Sequence, residues 1–350
     1  MKKQRATIRD VAKASSLSPA AVSRHLNGDI VLPKASASRI ERAIRKLDYQ
    51  PNRLARNLSL GKSSMIGLVL PDISNPFFAT LACAVEDAAF EAGYTVLLCN
   101  TKNDRVRELA YLRLLDSRQL DGILFLTSFA NDPALVETLG KRENVVIVDE
   151  DVPGVKAGRV LCENERGGYL ATKHLLDHGH RRIGFIGGPD TLLSTRERYA
   201  GFCAALKEAG LRVPKPWVRF GAYANEFGRE VAEQFLSCQE PPTAIFASSD
   251  YTALGVLSAV DAMGKNVPED LSLIGFDDMP MSEFLHPPLS TIRQPMREMG
   301  IESTKLLLQK ITGEEVDSPL IRLKVELIER KSVAKHRSRK TRDRRLESGD

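Results

Sequence analysis

The sequence lacks the features that mark membrane-spanning and secreted proteins. It has no run of about eighteen apolar residues, which predicts that no helix crosses a membrane. The start, MKKQRATIRD, is basic but has no apolar segment behind it, so we expect no secretory signal. The five cysteines never form a C-x-x-C pair, which is typical of reduced thiols in a cytoplasmic protein: Cys83, Cys99, Cys162, Cys203 and Cys238.

Common catalytic and metal-binding signatures are also missing. The motifs G-x-G-x-x-G, H-E-x-x-H and G-x-S-x-G do not occur. Gly61-Lys62-Ser63 resembles the end of a P-loop, but Arg56 stands where that motif needs glycine. A histidine cluster ends a helix before a strand, where packing explains it better than a metal: His174, His178 and His180. We therefore predict neither an enzyme nor a bound cofactor or metal.

The first sixty residues have the pattern of three short helices followed by a basic segment. Thr7 with Asp10 is a helix-start signal, and Ser18 before Pro19 is a second one. Apolar residues at helical spacing predict a shared core: Ile8, Val11, Ala12, Val22, Leu26, and, in a third helix from about Ser36 to Leu47, Ile40, Ala43, Ile44 and Leu47. Two short helices joined by a tight turn indicate a helix-turn-helix DNA-binding head; the alternative is a generic small helical bundle.

Charge is distributed unevenly along the chain and favours the DNA-binding interpretation. Residues 1–60 contain 13 Lys and Arg against 4 Asp and Glu, a net charge of +9. Residues 331–350 carry +5, whereas residues 61–330 carry −9. A compact basic segment is what a phosphate-backbone partner requires, so we expect the head, and not the acidic middle, to contact DNA.

Several motifs resemble those of the lactose/galactose repressor (LacI/GalR) family of bacterial transcription regulators. They occur in that family's order between residue 6 and about residue 332: TIRDVA, SPAAVSRHLNG, DYQPNRLARNL, IGLVLPDISNPFF, GGYLATKHLLDHGHRRIGFIGG, RERYAGF, SDYTALG, IGFDD and PPLSTIRQP. The resemblance implies a transcriptional repressor that binds a pseudo-palindromic operator as a homodimer. It also implies control by a small-molecule effector.

The rest of the chain alternates short apolar runs with helical segments. The runs are 65–70, 95–99, 122–127, 145–148, 183–186, 244–247 and 273–276, and a helix is predicted from about Pro76 to Gly93. This pattern predicts parallel sheets with helices on both faces. The resemblance adds two such doubly wound lobes, as in periplasmic binding proteins, joined by three crossovers near residues 162, 291 and 322. The fold class is thus an all-α head with a two-lobed α/β body.

Polar and aromatic side chains follow the strands of this body, where open parallel sheets bind ligands. The predicted effector-binding residues are Asp72, Asn75, Phe77, Phe78, Asp149, Arg196, Arg198, Tyr223, Ser249, Asp250, Asp277 and Gln294. Carboxylates, a forked guanidinium and aromatic faces suit a sugar or sugar derivative. A competing interpretation is that some only cap helices, as Asp250 could for the helix after it. A purine-type or nucleoside corepressor is the alternative effector.

Two positions depart from the family pattern and bear on effector identity. Where members with monosaccharide effectors often have Asp-Arg, this chain has Asp149-Glu150. With Glu150 in place of that arginine, the site lacks a guanidinium that could donate paired hydrogen bonds to a ligand. An acid at this position would favour a more hydroxylated or cationic ligand. Farther along, Glu163-Asn164 replaces a common Asp-Asn.

The DNA contacts are predicted from the second helix and from the segment after the third. Arg24 is the candidate for a bidentate guanine contact, and Pro19 and Ala20 offer only apolar contact. The phosphate-positioning candidates are Ser18, Ser23, Asn27 and Lys34. The resemblance implies a hinge helix that folds on DNA and wedges into the minor groove through Leu58 with Ala55; Asn52 and Arg53 belong to the same segment.

We thus predict a domain order of head (1–50), hinge and linker (51–61), two-lobed effector-binding and dimerisation body (62–332) and basic disordered tail (333–350). The tail has no leucine heptads, so we expect a dimer rather than a tetramer. An α/β enzyme carrying a helix-turn-helix remains the alternative from another class. Whether the effector weakens or strengthens operator binding is left open.

Overall fold

The computed structural model describes residues 6–26, 30–49, 62–314 and 319–336. The chain divides into two units, residues 1–64 and residues 65–350, and each is described by itself. None of the helices in the described ranges has the length and apolar character needed to span a bilayer.

The N-terminal unit contains three helices, α1 (Ile8–Ser15), α2 (Pro19–Leu26) and α3 (Lys34–Leu47). The predicted capping box is present, since the Thr7 N–H and hydroxyl both donate to Asp10 Oδ2, at 2.8 and 2.7 Å. Ser18 Oγ accepts a hydrogen bond from Ala21 N, at 3.2 Å, at the start of α2. The third helix begins two residues before the predicted Ser36. The buried core of the unit is Val11, Ala12, Val22, Ile40, Ala43 and Tyr49.

The first lobe of the body is built on a six-stranded parallel sheet of order β11-β5-β4-β3-β1-β2. Its strands are β1 (Met65–Leu70), β2 (Thr95–Asn100), β3 (Gly122–Phe125), β4 (Val145–Val148), β5 (Gly158–Cys162) and β11 (Leu320–Leu323). Its helices are α4 (Pro76–Glu91), α5 (Arg105–Asp116), α6 (Pro133–Gly140) and α11 (Met296–Thr312).

Alternate residues of the strands enter two apolar layers, one on each face of this sheet. Leu68 of β1 packs with Leu81 and Leu307 in one layer. Val69 packs with Leu112 in the other. The edge strand β2 departs from the expected buried run, because five of its six residues are not buried on an edge that lies at the surface.

The second lobe has a four-stranded parallel sheet of order β7-β6-β8-β9. Its strands are β6 (Ile183–Gly187), β7 (Val218–Phe220), β8 (Ala244–Ala247) and β9 (Ser272–Ile274), and a 3-10 turn (Lys215–Trp217) precedes β7. Helices α7 (Asn164–Asp177) and α8 (Leu193–Glu208) contribute to one apolar layer, and α9 (Asn225–Leu236) and α10 (Asp250–Ala262) contribute to the other. The predicted doubly wound architecture is therefore confirmed in both lobes.

The chain passes between the lobes three times, within a few residues of the predicted crossovers. It leaves lobe 1 after Cys162 at the end of β5. It returns after β10 (Thr291–Arg293) and leaves again between β11 and β12 (Glu326–Ile328). Strands β10 and β12 form a small antiparallel pair.

The first residues of the predicted tail bond to lobe 2. Ala334 N donates to Ser272 Oγ at 3.1 Å, and His336 N donates to the His178 carbonyl at 2.8 Å. His180 bonds through its two ring nitrogens to Thr243 Oγ1 and the Ala334 carbonyl. His178 and His180 thus bind residues 334–336 to lobe 2. The remainder of the predicted tail, 337–350, lies outside the described residues.

Candidate functional site

A cavity of about 690 Å³ lies between the two lobes of the body, at the carboxyl ends of their strands. Its lining contains ten of the twelve residues predicted from sequence: Asp72, Asn75, Phe77, Phe78, Asp149, Arg198, Tyr223, Ser249, Asp277 and Gln294. Twelve further residues line the cavity and were not predicted from the sequence: Pro71, Asn103, Ser128, Phe129, Pro189, Thr191, Leu192, Ser194, Ala222, Ala224, Glu226 and Tyr251.

Two predicted effector contacts do not line the cavity. Arg196 is exposed on the outside of α8, and its guanidinium bonds to the carbonyls of Asp190 and Thr191. Asp250 is fully buried beneath the cavity. Its carboxylate accepts hydrogen bonds from Met279 N, Ser282 Oγ and Thr291 Oγ1, at 2.9, 2.6 and 2.6 Å, so its acceptor positions serve the fold. Asp250 does not cap the helix that follows it, as the competing interpretation had it. The cap is Ser249, whose side chain accepts a hydrogen bond from Tyr251 N.

The lobe 1 wall is formed by the loop between β1 and α4. Asn75 caps α4 by accepting a hydrogen bond from Phe77 N at 3.0 Å. The rings of Phe77 and Phe78 meet edge to face, with centroids 5.1 Å apart. The cap therefore fixes two aromatic side chains and one amide at the mouth of a helix N-terminus, where polar ligand groups are favoured.

Arg198 lies at the centre of the lobe 2 wall and is nearly fully buried. Its Nε donates to Asn164 Oδ1 at 2.8 Å, and its Nη1 donates to the Ser248 carbonyl at 2.7 Å. The guanidinium carbon lies 3.8 Å from the centroid of the Phe276 ring. Held on three sides, the guanidinium is rigid before any ligand arrives.

Close contact between α7 and α8 places Arg198 against Asn164. A β-carbon at Gly168 would lie 2.1 Å from the Arg198 carbonyl oxygen, and one at Gly201 would lie 2.0 Å from the Glu165 carbonyl oxygen. Only glycine permits backbones to approach so closely. The glycines of the GGYLATK and YAGF motifs therefore position the arginine.

Two carboxylates face the cavity near Arg198. Asp277 Oδ1 lies 3.8 Å from Arg198 Nη1, and this carboxylate also accepts from Ser249 Oγ and Gln294 Nε2. Burial raises the pKa of Asp277, while Arg198 and these donors oppose the rise. Burial also raises the pKa of Asp149, to about 6, and Asp277 adds to that rise. Asp149 stands in the left-handed backbone region, with φ of 70°.

Glu150 does not occupy the position expected from the Asp-Glu departure. It turns away from the cavity and is 4% exposed. Its carboxylate accepts from Ser194 N at 3.2 Å and bonds to Ser194 Oγ, in the first turn of α8. Burial, together with the neighbouring Asp149, raises the pKa of Glu150 to about 8. The acid therefore contacts the other lobe, and the argument that it directly selects a cationic ligand fails.

Glu108 is a second buried acid that the sequence analysis missed. Its carboxylate accepts from Thr127 Oγ1 at 3.0–3.1 Å, and Thr127 Oγ1 accepts in turn from Phe129 N at 2.9 Å. Burial raises the pKa of Glu108 to about 7. Because Ser128 and Phe129 line the cavity, this acid shapes the wall without touching it. Its position on the same face of α5 as the buried Leu112 was the feature of the sequence that could have predicted its burial.

The crossovers carry a hydrogen-bonded network that reaches the cavity. Cys162 Sγ lies 3.3 Å from Asn164 Oδ1 and 3.0 Å from Gln294 Oε1. Gln294 Nε2 donates to Asp277 Oδ1 at 2.7 Å. Asn164, part of the Glu163-Asn164 departure, thus supports Arg198, whereas Glu163 pairs with Arg166 at 3.6 Å.

In the N-terminal unit, the predicted DNA-contacting residues within the described ranges lie at the surface. Ser18, Pro19, Ala20, Arg24 and Lys34 are exposed, and Ser23 is half-buried. Val22 points into the core, so one face of α2 is available to a partner. The predicted contacts at Asn27, Asn52, Arg53, Ala55 and Leu58 lie outside the described residues.

Comparison with known proteins matches both units. Residues 7–52 match the family described as bacterial regulatory proteins, lacI family, and residues 172–333 match a periplasmic binding protein-like domain. The HTH-type transcriptional repressor PurR of Aliivibrio salmonicida is 35% identical over 331 residues, which cover 94% of this chain and 99% of that protein. The chain belongs to the lacI family of bacterial regulatory proteins. PurR of Haemophilus influenzae strain PittEE is 36% identical over 343 residues, covering 94% of this chain and 98% of that protein.

Solved structures of lacI-family regulators agree. The lac repressor dimer bound to operator and the anti-inducer ONPF is similar with a TM-score of 0.84 at 26% identity, covering 95% of this chain and all of that one. The complex of the regulator CelR with cellobiose has a TM-score of 0.71 at 30% identity, covering 94% of this chain and 100% of that one. As a lacI-family repressor, the chain is a DNA-binding transcriptional regulator controlled by a small-molecule effector, and not an enzyme.

Proposed function

We propose that the effector is a sugar or sugar derivative held in the interlobe cavity. The observation that carries this proposal is the Asp149 carboxylate. Its Oδ1 is buried, and no donor among the described residues reaches it. A buried acceptor without a partner is costly, so the ligand is expected to supply an O–H or N–H group there.

The charge balance of the lining points to a ligand rich in donors. Four carboxylates and one guanidinium belong to the lining residues that the structure describes: Asp72, Asp149, Glu226, Asp277 and Arg198. Ionised carboxylates only accept hydrogen bonds. Vicinal hydroxyls satisfy them while also accepting from Arg198, and the aromatic rings cover the C–H face of a sugar.

The alternative is a purine-type corepressor, and the relatives favour it. Several repressors at 34–36% identity carry the name PurR. The same aromatic side chains could stack on a base. A purine base, however, offers only a few ring or amino N–H donors to the four carboxylates of the lining, whereas a sugar offers several hydroxyls.

A thermal-shift screen of the full-length protein separates the two. The panel contains cellobiose, ribose, other sugars, polyols, purine bases and nucleosides, because only ligands of the native state raise the melting temperature. We expect a sugar-class hit that is lost in Arg198→Ala and kept in Arg196→Ala. If purines alone raise the melting temperature, the sugar proposal is wrong and the corepressor alternative takes its place.

The DNA contacts are proposed from the second helix and the hinge. Arg24 would read a guanine, Pro19 and Ala20 would make apolar contacts, and Leu58 with Ala55 would wedge the minor groove. The exposed face of α2 and the +9 charge of residues 1–60 support this assignment. The domain boundaries at residues 50 and 61 belong to the same proposal, whereas the body extends past the predicted boundary at 332, because Ala334 and His336 bond to lobe 2.

A homodimer is proposed as the DNA-binding form. Exposed apolar side chains lie together in sequence on α4 and the edge strand β2 of lobe 1: Phe90 at 75%, Leu97 at 37% and Leu98 at 45% exposure. Apolar surface of this kind favours association. Sedimentation equilibrium should give twice the chain mass, and Leu98→Glu should shift it toward the monomer; a monomer in the wild type would contradict the proposal.

A further inference from the structure

A buried carboxyl of lobe 1 is bonded to the first turn of a lobe 2 helix. Glu150 follows strand β4, and Ser194 is the second residue of α8. The two side chains are 4% and 1% exposed, respectively. We call this contact the Glu150–Ser194 clasp.

The clasp satisfies a backbone group that α8 cannot satisfy itself. The first N–H groups of a helix have no acceptor within the helix. Ser194 N donates instead to Glu150 Oε2 at 3.2 Å, and Ser194 Oγ bonds to Glu150 Oε1. Separating the lobes would leave this amide to water and would break both contacts together.

We infer that Glu150 is a positioning residue that sets the closed state of the cleft, by holding the first turn of α8 against lobe 1. Ser194 also lines the cavity, and its Oγ lies 3.4 Å from Tyr223 Oη, which bonds to Thr195 Oγ1 at 2.9 Å. The clasp therefore fixes two lining side chains as well as the angle between the lobes. The inference rests on the proposed function only in placing the effector in this cavity.

Two further polar contacts between the lobes, in the part of the chain that the structure describes, are more accessible to water. Arg322 pairs with Glu197 at 2.7 Å, with side chains 37% and 16% exposed. Asn131 Nδ2 donates to the Thr191 carbonyl at 3.3 Å. Arg322 donates to both oxygens of Glu197, but water reaches its guanidinium and competes for this pair, as it does for the exposed Asn131. The buried clasp is therefore the contact whose loss should matter most.

Protonation of Glu150 should be coupled to closure. The groups that face it are Asp149 from its own loop, Arg198 from α8, and Tyr223 from the loop before α9. In an open, hydrated cleft its pKa returns toward the ordinary 4.5, whereas burial raises it to about 8 in the closed one. Closure is then fully favoured below about pH 4.5, and is weakened by up to tenfold per pH unit as the pH rises to about 8.

Hydrogen exchange of the Ser194 amide in the effector-free, full-length protein tests the clasp directly. We expect at least tenfold faster exchange of this amide in Glu150→Ala than in the wild type. Glu150→Gln should restore protection, because its carbonyl can accept from the amide and its amino group can donate to Ser194 Oγ. Asp151→Asn is the matched control, since Asp151 pairs with Arg159 within lobe 1. Wild-type protection in Glu150→Ala would overturn the inference.

A distance measurement separates closure from local fraying. The exposed Cys83 and Cys238 lie on different lobes and can carry spin labels after Cys203, which is half-buried, is replaced by serine. Labelled protein is diluted with unlabelled protein so that only distances within one protomer are measured. Glu150→Ala should broaden and lengthen the distribution, the wild-type distribution should widen between pH 6 and 8, and Glu150→Gln should not respond to pH. Identical distributions in all three would overturn the inference without touching the effector proposal, because no effector is present.

Discussion

Replacing Arg198 by alanine should separate the role of this residue in the fold from its role in effector binding. The change removes two buried hydrogen bonds, from Nε to Asn164 and from Nη1 to Ser248, at 2.8 and 2.7 Å. Hydrogen bonds from charged groups stabilise by about 1.5–3 kcal/mol each, and breaking a buried ion pair costs about 3–5 kcal/mol. Because these terms overlap, we expect the free energy of unfolding to fall by about 3–5 kcal/mol.

That loss corresponds to a melting temperature lower by about 6–15 °C for a body of this size. The deficit should also depend on pH. Without Arg198, the pKa values of Asp149 and Asp277 should rise further, since Arg198 opposes the effect of their burial. A raised pKa in the folded state means that stability is present at low pH and is lost as the pH rises. The variant should therefore be closer to wild type at pH 5 than at pH 8.

Arg196→Ala is the matched control because it removes the same side chain two residues earlier, from an exposed position outside the cavity. Its free energy of unfolding should stay within about 0.5 kcal/mol of wild type. Calorimetry with the hit from the sugar screen should show wild-type affinity for Arg196→Ala and more than tenfold weaker binding for Arg198→Ala. Equal behaviour of the two variants would refute the reasoning about the lobe 2 wall.

Further predictions concern the head, the hinge and the buried acid beneath the cavity. Leu58→Ala should weaken binding to a selected operator far more than binding to random duplexes, and equal losses would remove the wedge. Arg24→Ala should relax preference at one base position in each half-site, at roughly 1–3 kcal/mol, as read from a single-substitution operator library. Operator affinity should fall steeply with salt and vanish when residues 1–60 are deleted; comparable binding by the truncated chain would contradict the head assignment. Asp250→Ala should lower the free energy of unfolding by several kcal/mol, since it leaves buried donors without an acceptor. Ser249→Ala, which removes the cap of α10 and one donor to Asp277, should cost about 1–2 kcal/mol.

Sequence patterns were sufficient for the architecture and for ten of the twenty-two lining residues of the cavity, for a local reason. Parallel sheets bring the residues after each strand to one edge, so Asp72, Asp149 and Asp277 could be grouped without knowing any distance. The caps of α1 and α2 were readable because capping depends on residues three positions apart. The edge strand β2 was misjudged as buried, because an apolar run does not reveal which strand lies at the end of the sheet.

Contacts between distant segments could not be predicted from such patterns. Glu150 and Ser194 are separated by 44 residues, so their pairing depends on how the lobes meet. Arg196 and Arg198 differ by 200° around a helix, yet both follow the same strand in sequence, and only the packing of α7 decides which one faces inward. Glu108 is connected to the lining residue Phe129 only through Thr127. The spacing of residues in the sequence cannot predict an indirect contact of this kind.

The network at the crossovers has a consequence for how new effector specificities can arise. Cys162, Asn164 and Gln294 connect the interlobe segments to Arg198 and Asp277, so the side chains proposed to bind the ligand are bonded to the segments that join the lobes. A substitution in this network would alter effector binding and the movement of the lobes together. Most such substitutions would therefore abolish the response of operator binding to the effector. The loop that carries Ser128 and Phe129 lies outside this network, although its Asn131 donates to the Thr191 carbonyl of lobe 2. A library confined to Ser128 and Phe129 could therefore exchange one effector for another while the interlobe contacts are kept.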